Sequence, residues 1–258
     1  MTGIHRAAAQ GFARSADAYE RGRPEYPQAA VDHLAGLLGV GATVLDLAAG
    51  TGKLTRPLLA AGLDVIAVEP VAEMRAVLPA DSRALEGTAE AIPLPDGAVD
   101  GVTVGQAFHW FDGNAALAEI ARVLRPGGPL ALVWNRRVDD DPVNAAIEEI
   151  VAPYRGETPS HRGGAWRAAF ERSDAFSPLE ETVFEHPIEQ DAEGLAARVG
   201  SISFIAALEP AERARVVERA RALAGGGTLT IPYRTETFSP RSADGHLAAS
   251  PAWNSESA

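Results

Sequence analysis

The chain contains no cysteine, a single lysine (Lys53) among 258 residues, and no apolar run long enough to cross a bilayer. The lack of cysteine excludes disulfides, thiolate chemistry and a zinc site with cysteine ligands, and we predict no metal site. The N-terminal residues also lack the apolar core of a signal peptide. We therefore expect a cytoplasmic protein that has no membrane partner.

Positive charge is also scarce. Lysine and arginine together number 23 against 35 acidic residues, which gives a net charge of −12. A nucleic-acid surface needs clustered basic side chains to neutralise phosphates, so no nucleic-acid partner is predicted. The expected partner is a small molecule, and no pattern in the sequence specifies an oligomeric state.

Short apolar strands alternate with helical patterns through the first half of the chain. An amphipathic helix is predicted from Pro27 to the glycines at 39 and 41. The predicted strands that follow are 43–47, 64–69, 83–86, 99–105 and 129–135, and the helices between and after them are 52–61, 71–79, 114–124 and 142–153. This alternation is typical of right-handed βαβ units in a parallel sheet. Beyond residue 135 the patterns predict strands at 179–188 and 228–238 and a helix at 211–224.

These elements predict an α/β protein with a Rossmann-like, doubly wound sheet of seven strands. The sheet is mostly parallel with an antiparallel C-terminal strand, and a helical lid lies at the N-terminus. One domain is expected over residues 1–238, followed by a loose tail at 239–258. Within that domain the predicted parts are the lid (5–27), the cofactor-binding core (40–135) and the elements on the substrate side with the final strands (136–238).

The most informative segment is residues 44–52, where an apolar strand is followed by a turn containing Gly50 and Gly52. Glycines allow a sharp turn and a close approach to a ligand, which is typical of a nucleotide site in a parallel sheet. A dinucleotide motif would require a third glycine where Thr55 stands. Asp46, at the entrance to the turn, would repel a pyrophosphate and favour a cation such as the sulfonium of S-adenosylmethionine. Glu69 ends the next strand, where a carboxylate can accept hydrogen bonds from ribose hydroxyls.

Three further segments accompany this turn, at 87–96, 99–111 and 117–135. Together they resemble the class I S-adenosylmethionine-dependent methyltransferases, specifically the type-11 methyltransferase domain. Many members have three glycines in the first turn, and Ala48 stands where the first often lies, which fits if Ala48 keeps an ordinary φ. The resemblance implies that S-adenosylmethionine is bound by Asp46, Ala48, Gly50, Gly52, Glu69, Pro70, Thr88, Ala89, Glu90 and Gln106. By analogy, Thr88 or Glu90 would hold the adenine amino group and the N–H of Ala89 a ring nitrogen.

The leader around Tyr19, Arg23 and Tyr26 resembles the N-terminal lid of trans-aconitate-type small-molecule methyltransferases. Tyr19 and Arg23 are therefore added to the cofactor site, although a solvated polar helix start is the alternative. For Arg136 and Arg137, exposed loop charges are slightly favoured over a place in the cleft.

The turn after the fourth strand supplies the candidate acceptor site. His109 is the candidate general base, and a packed loop histidine without a role in proton transfer is the alternative. The predicted substrate pocket comprises Tyr26, His109, Trp110, Phe111, Trp134 and Asn135.

The sequence therefore predicts methyl transfer from S-adenosylmethionine to a small molecule, with O-methylation of a carboxylate or hydroxyl favoured. Two alternatives remain open. One is a protein of the same fold that binds the cofactor without methylating, such as a cyclase or a regulator. The other is a NAD(P)-dependent reductase.

Overall fold

A computed structural model describes residues 22–156 and 158–243 of the chain. Its helices are α1 (Gln28–Leu38), α2 (Thr55–Ala60), α3 (Ala72–Arg75), α4 (Gly113–Val123), α5 (Pro142–Val151), α6 (Arg167–Glu171), α7 (Ala192–Gly200), α8 (Ser203–Ala206) and α9 (Pro210–Ala222). Its strands are β1 (Thr43–Leu47), β2 (Asp64–Val68), β3 (Arg83–Leu85), β4 (Gly101–Gly105), β5 (Leu130–Arg137), β6 (Glu181–Glu185), β7 (Ile188–Gln190), β8 (Leu229–Ile231) and β9 (Tyr233–Phe238). None of the helices in this part of the chain is long and apolar enough to cross a membrane.

The main sheet has seven strands in the order β3-β2-β1-β4-β5-β9-β6. The five strands β1 to β5 are parallel to one another, whereas β9 runs antiparallel to both of its neighbours, β5 and β6. The predicted fold is therefore confirmed. Because the strand order reverses between β1 and β4, the carboxyl ends of these two strands border the crevice where ligands bind in such sheets.

The predicted final strand, 228–238, is two strands in the structure. Pro232 has no N–H for a β-ladder, and it separates β8 from β9. Strand β8 pairs with β7 in a separate two-stranded sheet, and β9 enters the main sheet beside β5. The predicted strand 179–188 is likewise interrupted before Pro187, so that only its first part, β6, joins the main sheet.

A second apolar cluster lies beside the main core. It is built from α5, α7, α8, α9 and β8, with Leu195, Val199 and Val216 among its fully buried members. Tyr233 belongs to this cluster and pairs with Arg137 across the β5–β9 ladder. The second cluster is thereby joined to the main sheet at the end of β5, next to the site described below.

Helices α6, α7 and α8 are not among the predicted elements, and α2 and α3 are shorter than predicted. The predicted lid lies largely outside the described residues. Where the loose tail is predicted, the backbone of residues 239–243 is hydrogen-bonded: Ser239 donates to Glu180 and Ser242 donates to Gly128. The remainder of the tail lies outside the described residues.

Candidate functional site

The turn after β1 is strongly bent. Ala48, Gly50 and Gly52 all have a positive φ, of 57°, 59° and 87°. The expectation that Ala48 keeps an ordinary φ is therefore wrong. Glycine would adopt this left-handed conformation without strain, whereas for alanine it costs about 1–2 kcal/mol. At Gly52 a Cβ would lie 2.8 Å from Cδ of Pro79, so this position needs glycine for space as well.

Two buried carboxylates stand behind this turn. Asp46 is 1% exposed and accepts hydrogen bonds from Oγ1 of Thr55 at 2.6 Å and Oγ1 of Thr103 at 3.2 Å. Burial, with a smaller contribution from the nearby Glu69, raises the pKa of Asp46 to about 6, although the hydrogen bonds from Thr55 and Thr103 lower it. Burial also raises the pKa of Glu69 above its ordinary value. The carboxylate of Glu69 accepts the backbone N–H groups of Gly50 and Val71, each at 2.9 Å.

The hydrogen bond from Gly50 to Glu69 bears on which nucleotide fits. In a turn that binds pyrophosphate, the glycine N–H groups donate to phosphate oxygens, but here the N–H of Gly50 already donates to a carboxylate. Two buried acids would also repel a phosphate and attract a cation. S-adenosylmethionine, with a sulfonium, an ammonium and ribose hydroxyl donors, therefore fits this donor and acceptor set.

The turn forms one wall of a cavity of about 510 Å³ that is open to solvent. Seven of the predicted site residues line it: Arg23, Tyr26, Asp46, Ala48, Gly50, Gln106 and Asn135. Glu69 lies next to the cavity through its bond to Gly50. Residues 23–26, which we call the covering segment, form the opposite wall with Arg23, Pro24 and Tyr26.

The covering segment is held by side chains from three separate elements. The Asn135 amide donates to the carbonyl oxygens of Pro24 (3.3 Å) and Glu25 (2.9 Å). Lys53 donates to the Glu25 carboxylate at 2.5 Å. Nε2 of His186 lies 2.8 Å from the Glu25 carbonyl oxygen. Asn135, predicted for the substrate pocket, thus also positions the wall over the glycine turn.

Other predicted cofactor residues lie away from this cavity. Ala89 is 4% exposed and belongs to the main core, and the carboxylate of Glu90 accepts the backbone N–H of Asp112 at 3.0 Å. Pro70 and Thr88 follow β2 and β3 and do not line the cavity. Tyr19 lies outside the described residues. Their roles toward the cofactor stay predictions.

A second cavity, of about 890 Å³, adjoins the first. Arg23, Gln106, Asn135 and Arg198 line both. Gln106 has a φ of 61°, a left-handed conformation that is rare for a residue other than glycine, and its N–H donates to the carbonyl of Val133 at 2.8 Å. This bend places Gln106 where the two cavities join. A group bound in the second cavity can therefore contact a group bound in the first cavity at this point.

The predicted acceptor residues divide between this cavity and the core. His109 and Trp110 line the second cavity. Trp134 is fully buried and stacks on His161 with ring centroids 5.5 Å apart, so it lies one layer behind the cavity wall. Phe111 packs edge-on against Phe108 at 5.6 Å.

His109 is electrostatically a weak base. Burial, followed by the neighbouring His161 and Arg23, lowers its pKa to about 3. The imidazole is therefore neutral throughout the physiological range, and its Nδ1 is buried without a hydrogen-bond partner in the described chain. Protonation of this ring by a substrate proton is strongly disfavoured.

Most of the arginines of the second cavity are absent from the predicted site. Arg136 and Arg137 are the last residues of β5 and line the cavity, so the favoured interpretation as loop charges is wrong. Arg155, Arg162 and Arg198 join them. The arginine-rich composition of 155–178 is the one signal in the sequence that points to part of this set, and α7, which carries Arg198, is not predicted at all.

Comparisons with known proteins agree with this geometry. A family model described as a methyltransferase domain matches residues 45–132. An uncharacterized methyltransferase of Mycobacterium tuberculosis is 40% identical over 246 residues, which cover 91% of this chain and 97% of the relative. A malonyl-[acyl-carrier protein] O-methyltransferase of Pectobacterium atrosepticum is 38% identical over 131 residues, 48% of this chain and 51% of that protein.

Among solved structures, a candidate type II methyltransferase from Anaeromyxobacter dehalogenans shares the fold with a TM-score of 0.61. It is 24% identical, and the match covers 86% of this chain and 97% of that one. The fold, the acidic glycine turn and the relationship to the mycobacterial protein over nearly the whole chain lead to one conclusion: the protein belongs to the class I S-adenosylmethionine-dependent methyltransferases, in the family of the type-11 methyltransferase domain.

Proposed function

We propose that the protein transfers a methyl group from S-adenosylmethionine to an oxygen atom of a small molecule, and that this oxygen belongs to a carboxylate. The observation that carries the proposal is the junction of two cavities that differ in their acidic groups. Two buried carboxylates stand at the glycine turn of the first cavity, which Arg23, Lys53 and Arg198 also line, whereas the second is lined by arginines and by no acidic residue in the described chain. They meet at Gln106 and Asn135.

S-adenosylmethionine, when bound, supplies an activated methyl group on its sulfonium. We assign Asp46 to attraction of the cofactor's positive charge and Glu69 to its ribose hydroxyls, since Glu69 keeps acceptor capacity beyond its bonds to Gly50 and Val71. Gln106 faces the meeting point and orients the acceptor oxygen, while Asn135, whose amide already donates to Pro24 and Glu25, holds the covering segment beside it. Such positioning can lower the barrier by about 7–11 kcal/mol.

The choice of a carboxylate over a hydroxyl rests on proton chemistry. A carboxylate is already ionised at neutral pH and needs no base, whereas a hydroxyl must lose a proton during the transfer. His109, three residues after Gln106, lines the second cavity and is the candidate base. The low pKa of its imidazole makes it a poor proton acceptor. The O-methyltransferase relative supports oxygen as the methylated atom.

The proposal is tested by incubating the protein with methyl-labelled S-adenosylmethionine and matched carboxylic acids, alcohols and amines. We expect labelled methyl esters and S-adenosylhomocysteine in equal amounts, measured by mass spectrometry. Labelled ethers or N-methyl products would contradict the carboxylate assignment. Tight binding of S-adenosylmethionine that stays intact with every acceptor class would favour a role without methyl transfer, such as that of a cyclase or a regulator.

A further inference from the structure

The second cavity is strongly cationic in a molecule whose net charge is −12. Five arginines line it in addition to Arg23, at positions 136, 137, 155, 162 and 198. Three carboxylates of the described chain pair with four of these: Asp139 with Arg136 and Arg162, Glu148 with Arg137 and Arg155, and Glu236 with Arg136. Five positive charges against three negative charges leave an excess of two.

Arg198 is the arginine of this group whose charge is least compensated. Its Nε donates to the hydroxyl of Tyr233 at 3.0 Å, and no carboxylate of the described residues pairs with it. Its Nη1 is buried without a hydrogen-bond partner in this part of the chain. A buried guanidinium N–H that lacks an acceptor is unfavourable, and an anionic ligand would provide one.

Arg137 shows that these charges act on one another. Its side chain is 10% exposed, and burial, then the charges of Arg198 and Arg162, lower its pKa to about 10 despite the carboxylate of Glu148 at 3.0 Å. Nε of Arg136 and Nε2 of His161 are also buried without partners in the described chain, and both residues line the same cavity. The cavity thus holds several donors and excess positive charge in one place.

Apolar side chains complete the walls of the second cavity: Val151, Ile202, Phe204 and Trp110. Among the arginines, Arg198 lies at the junction with the first cavity, whereas Arg137, Arg155 and Arg162 line only the second. A ligand that meets the arginines at both places and also contacts the apolar walls carries two anionic groups and a hydrocarbon segment.

We propose that the methyl acceptor is a dianion that also has a hydrocarbon segment. The carboxylate to be methylated pairs with Arg198 at the junction, and the second anionic group, a carboxylate or a phosphate, pairs with Arg137 and Arg162. This proposal deepens the proposed function and rests on it. It makes Arg198 and Arg162 residues that determine specificity, because each recognises a different end of the acceptor.

The test measures binding of defined probes to the whole protein by calorimetry, with and without S-adenosylhomocysteine. The probes are the linear dicarboxylates from succinate to suberate, their half methyl esters and their dimethyl esters, together with ω-phosphonocarboxylates of matched length and inorganic phosphate. We expect at least one dianion to bind roughly tenfold or more tightly than its half ester, since hydrogen bonds to a charged group contribute on this scale. The phosphonocarboxylate shows whether the second group is a carboxylate or a phosphate type.

Equal affinity for the dianions and their half esters, or no binding of any dianion in the series, overturns the inference. Raising the salt concentration should weaken dianion binding more than half-ester binding in the wild-type protein, so this arm does not depend on any variant folding.

Arginine variants test which side chain binds each anionic group of the acceptor. In Arg162→Gln we expect the preference for dianion over half ester to disappear, and in Arg198→Gln we expect both probes to bind roughly tenfold more weakly. Arg198→Gln should also raise the midpoint of thermal unfolding, because it removes a partly buried charge that no carboxylate of the described chain compensates, an outcome that a purely structural role would not give. Arg234→Gln, outside both cavities at the exposed position of the otherwise buried strand β9, is the matched control and should leave probe binding unchanged.

The two proposals fail separately. If S-adenosylhomocysteine binds but the dianions show no preference, the inference fails and the proposed function stands. If the dianions bind as expected but neither S-adenosylhomocysteine nor methyl transfer is observed, the anion site is supported and the proposed function fails.

Discussion

At the scale of single residues, Ala48 shows how the cofactor turn stores strain. Ala48 and Gly50 have nearly the same φ, 57° and 59°, and a Cβ at Gly50 would meet no heavy atom within 4 Å. The difference between alanine and glycine at these two positions is therefore mainly a matter of backbone conformation.

Replacement of Ala48 by glycine should stabilise the protein. Relief of the left-handed strain gains about 1–2 kcal/mol, and the greater flexibility of unfolded glycine offsets about 0.5–1 kcal/mol of this. We expect the free energy of unfolding in urea to rise by about 0.5–1 kcal/mol. Gly50→Ala, the matched reverse change, should lower it. A lower stability for Ala48→Gly would show that the Ala48 methyl group makes packing contacts that outweigh the strain.

Asp46 should make the stability of the free protein depend on pH. Burial raises its pKa from 3.8 to about 6, so the folded state binds a proton more tightly than the unfolded state does. The resulting stabilisation is fully present below about pH 4 and is lost as the pH rises through about 6. In Asp46→Asn, the decrease in unfolding free energy between pH 5 and pH 7 should be smaller than in the wild type by about 1–2 kcal/mol. Urea titrations at both pH values measure it, and parallel profiles for the two proteins would contradict the account.

His109 should matter little for proton transfer. Loss of a general base typically lowers the rate by 10²–10⁴-fold, as an order of magnitude. With a pKa of about 3, the imidazole remains neutral as the pH falls from 8 to 5, so the rate of methyl transfer should show no inflection from it. We expect kcat of His109→Gln to lie within roughly tenfold of the wild type. A loss of a hundredfold or more would instead make His109 the base of a hydroxyl acceptor.

At the scale of secondary-structure elements, the covering segment depends on close contact with the end of β4. A Cβ at Gly105 would lie 2.7 Å from the Tyr26 hydroxyl and 3.3 Å from Cδ2 of Leu54. Both of these residues line the first cavity. A glycine at this position therefore lets the covering segment approach the sheet.

Gly105→Ala should displace Tyr26 and weaken S-adenosylhomocysteine binding by roughly tenfold, the effect of losing one or two favourable contacts. Calorimetry measures the change in Kd. Gly36→Ala, at an exposed position in the last turn of α1 with no heavy atom near its Cβ position, is the control and should leave Kd unchanged. Unchanged binding in Gly105→Ala would mean that the covering segment moves away when the cofactor enters.

Predictability differs between the elements for a physical reason. Strands β1 to β5 are short apolar runs whose positions follow from periodicity, and the glycine turn is encoded locally. The strand predictions for 179–188 and 228–238 fail because of single residues. Pro187 and Pro232 interrupt segments whose polar and apolar residues alternate as in one continuous strand. Helix α7 is short and rich in alanine and glycine, and its position depends on packing against α9 rather than on its own pattern.

At the scale of the whole molecule, the acidic turn could be predicted but the cationic cavity could not. Asp46 lies near the end of β1 and Glu69 directly follows β2, its neighbour in the parallel sheet, so their proximity follows from topology. Arg137, Arg162 and Arg198 come from β5, a loop and α7, and only the packing of the second cluster against the main sheet brings them together. The net charge of −12 is the basis for predicting no broad basic surface, but it carries no information on a local pocket.

The central claim is that the glycine turn binds S-adenosylmethionine and not a pyrophosphate cofactor. Calorimetry with S-adenosylhomocysteine and NADPH tests it, using the wild type, Glu69→Ala and the exposed control Glu73→Ala. We predict that S-adenosylhomocysteine binds the wild type and the control alike, that Glu69→Ala weakens it by roughly ten- to a hundredfold, and that NADPH does not bind. Binding of NADPH without S-adenosylhomocysteine, or unchanged affinity in Glu69→Ala, would contradict the account.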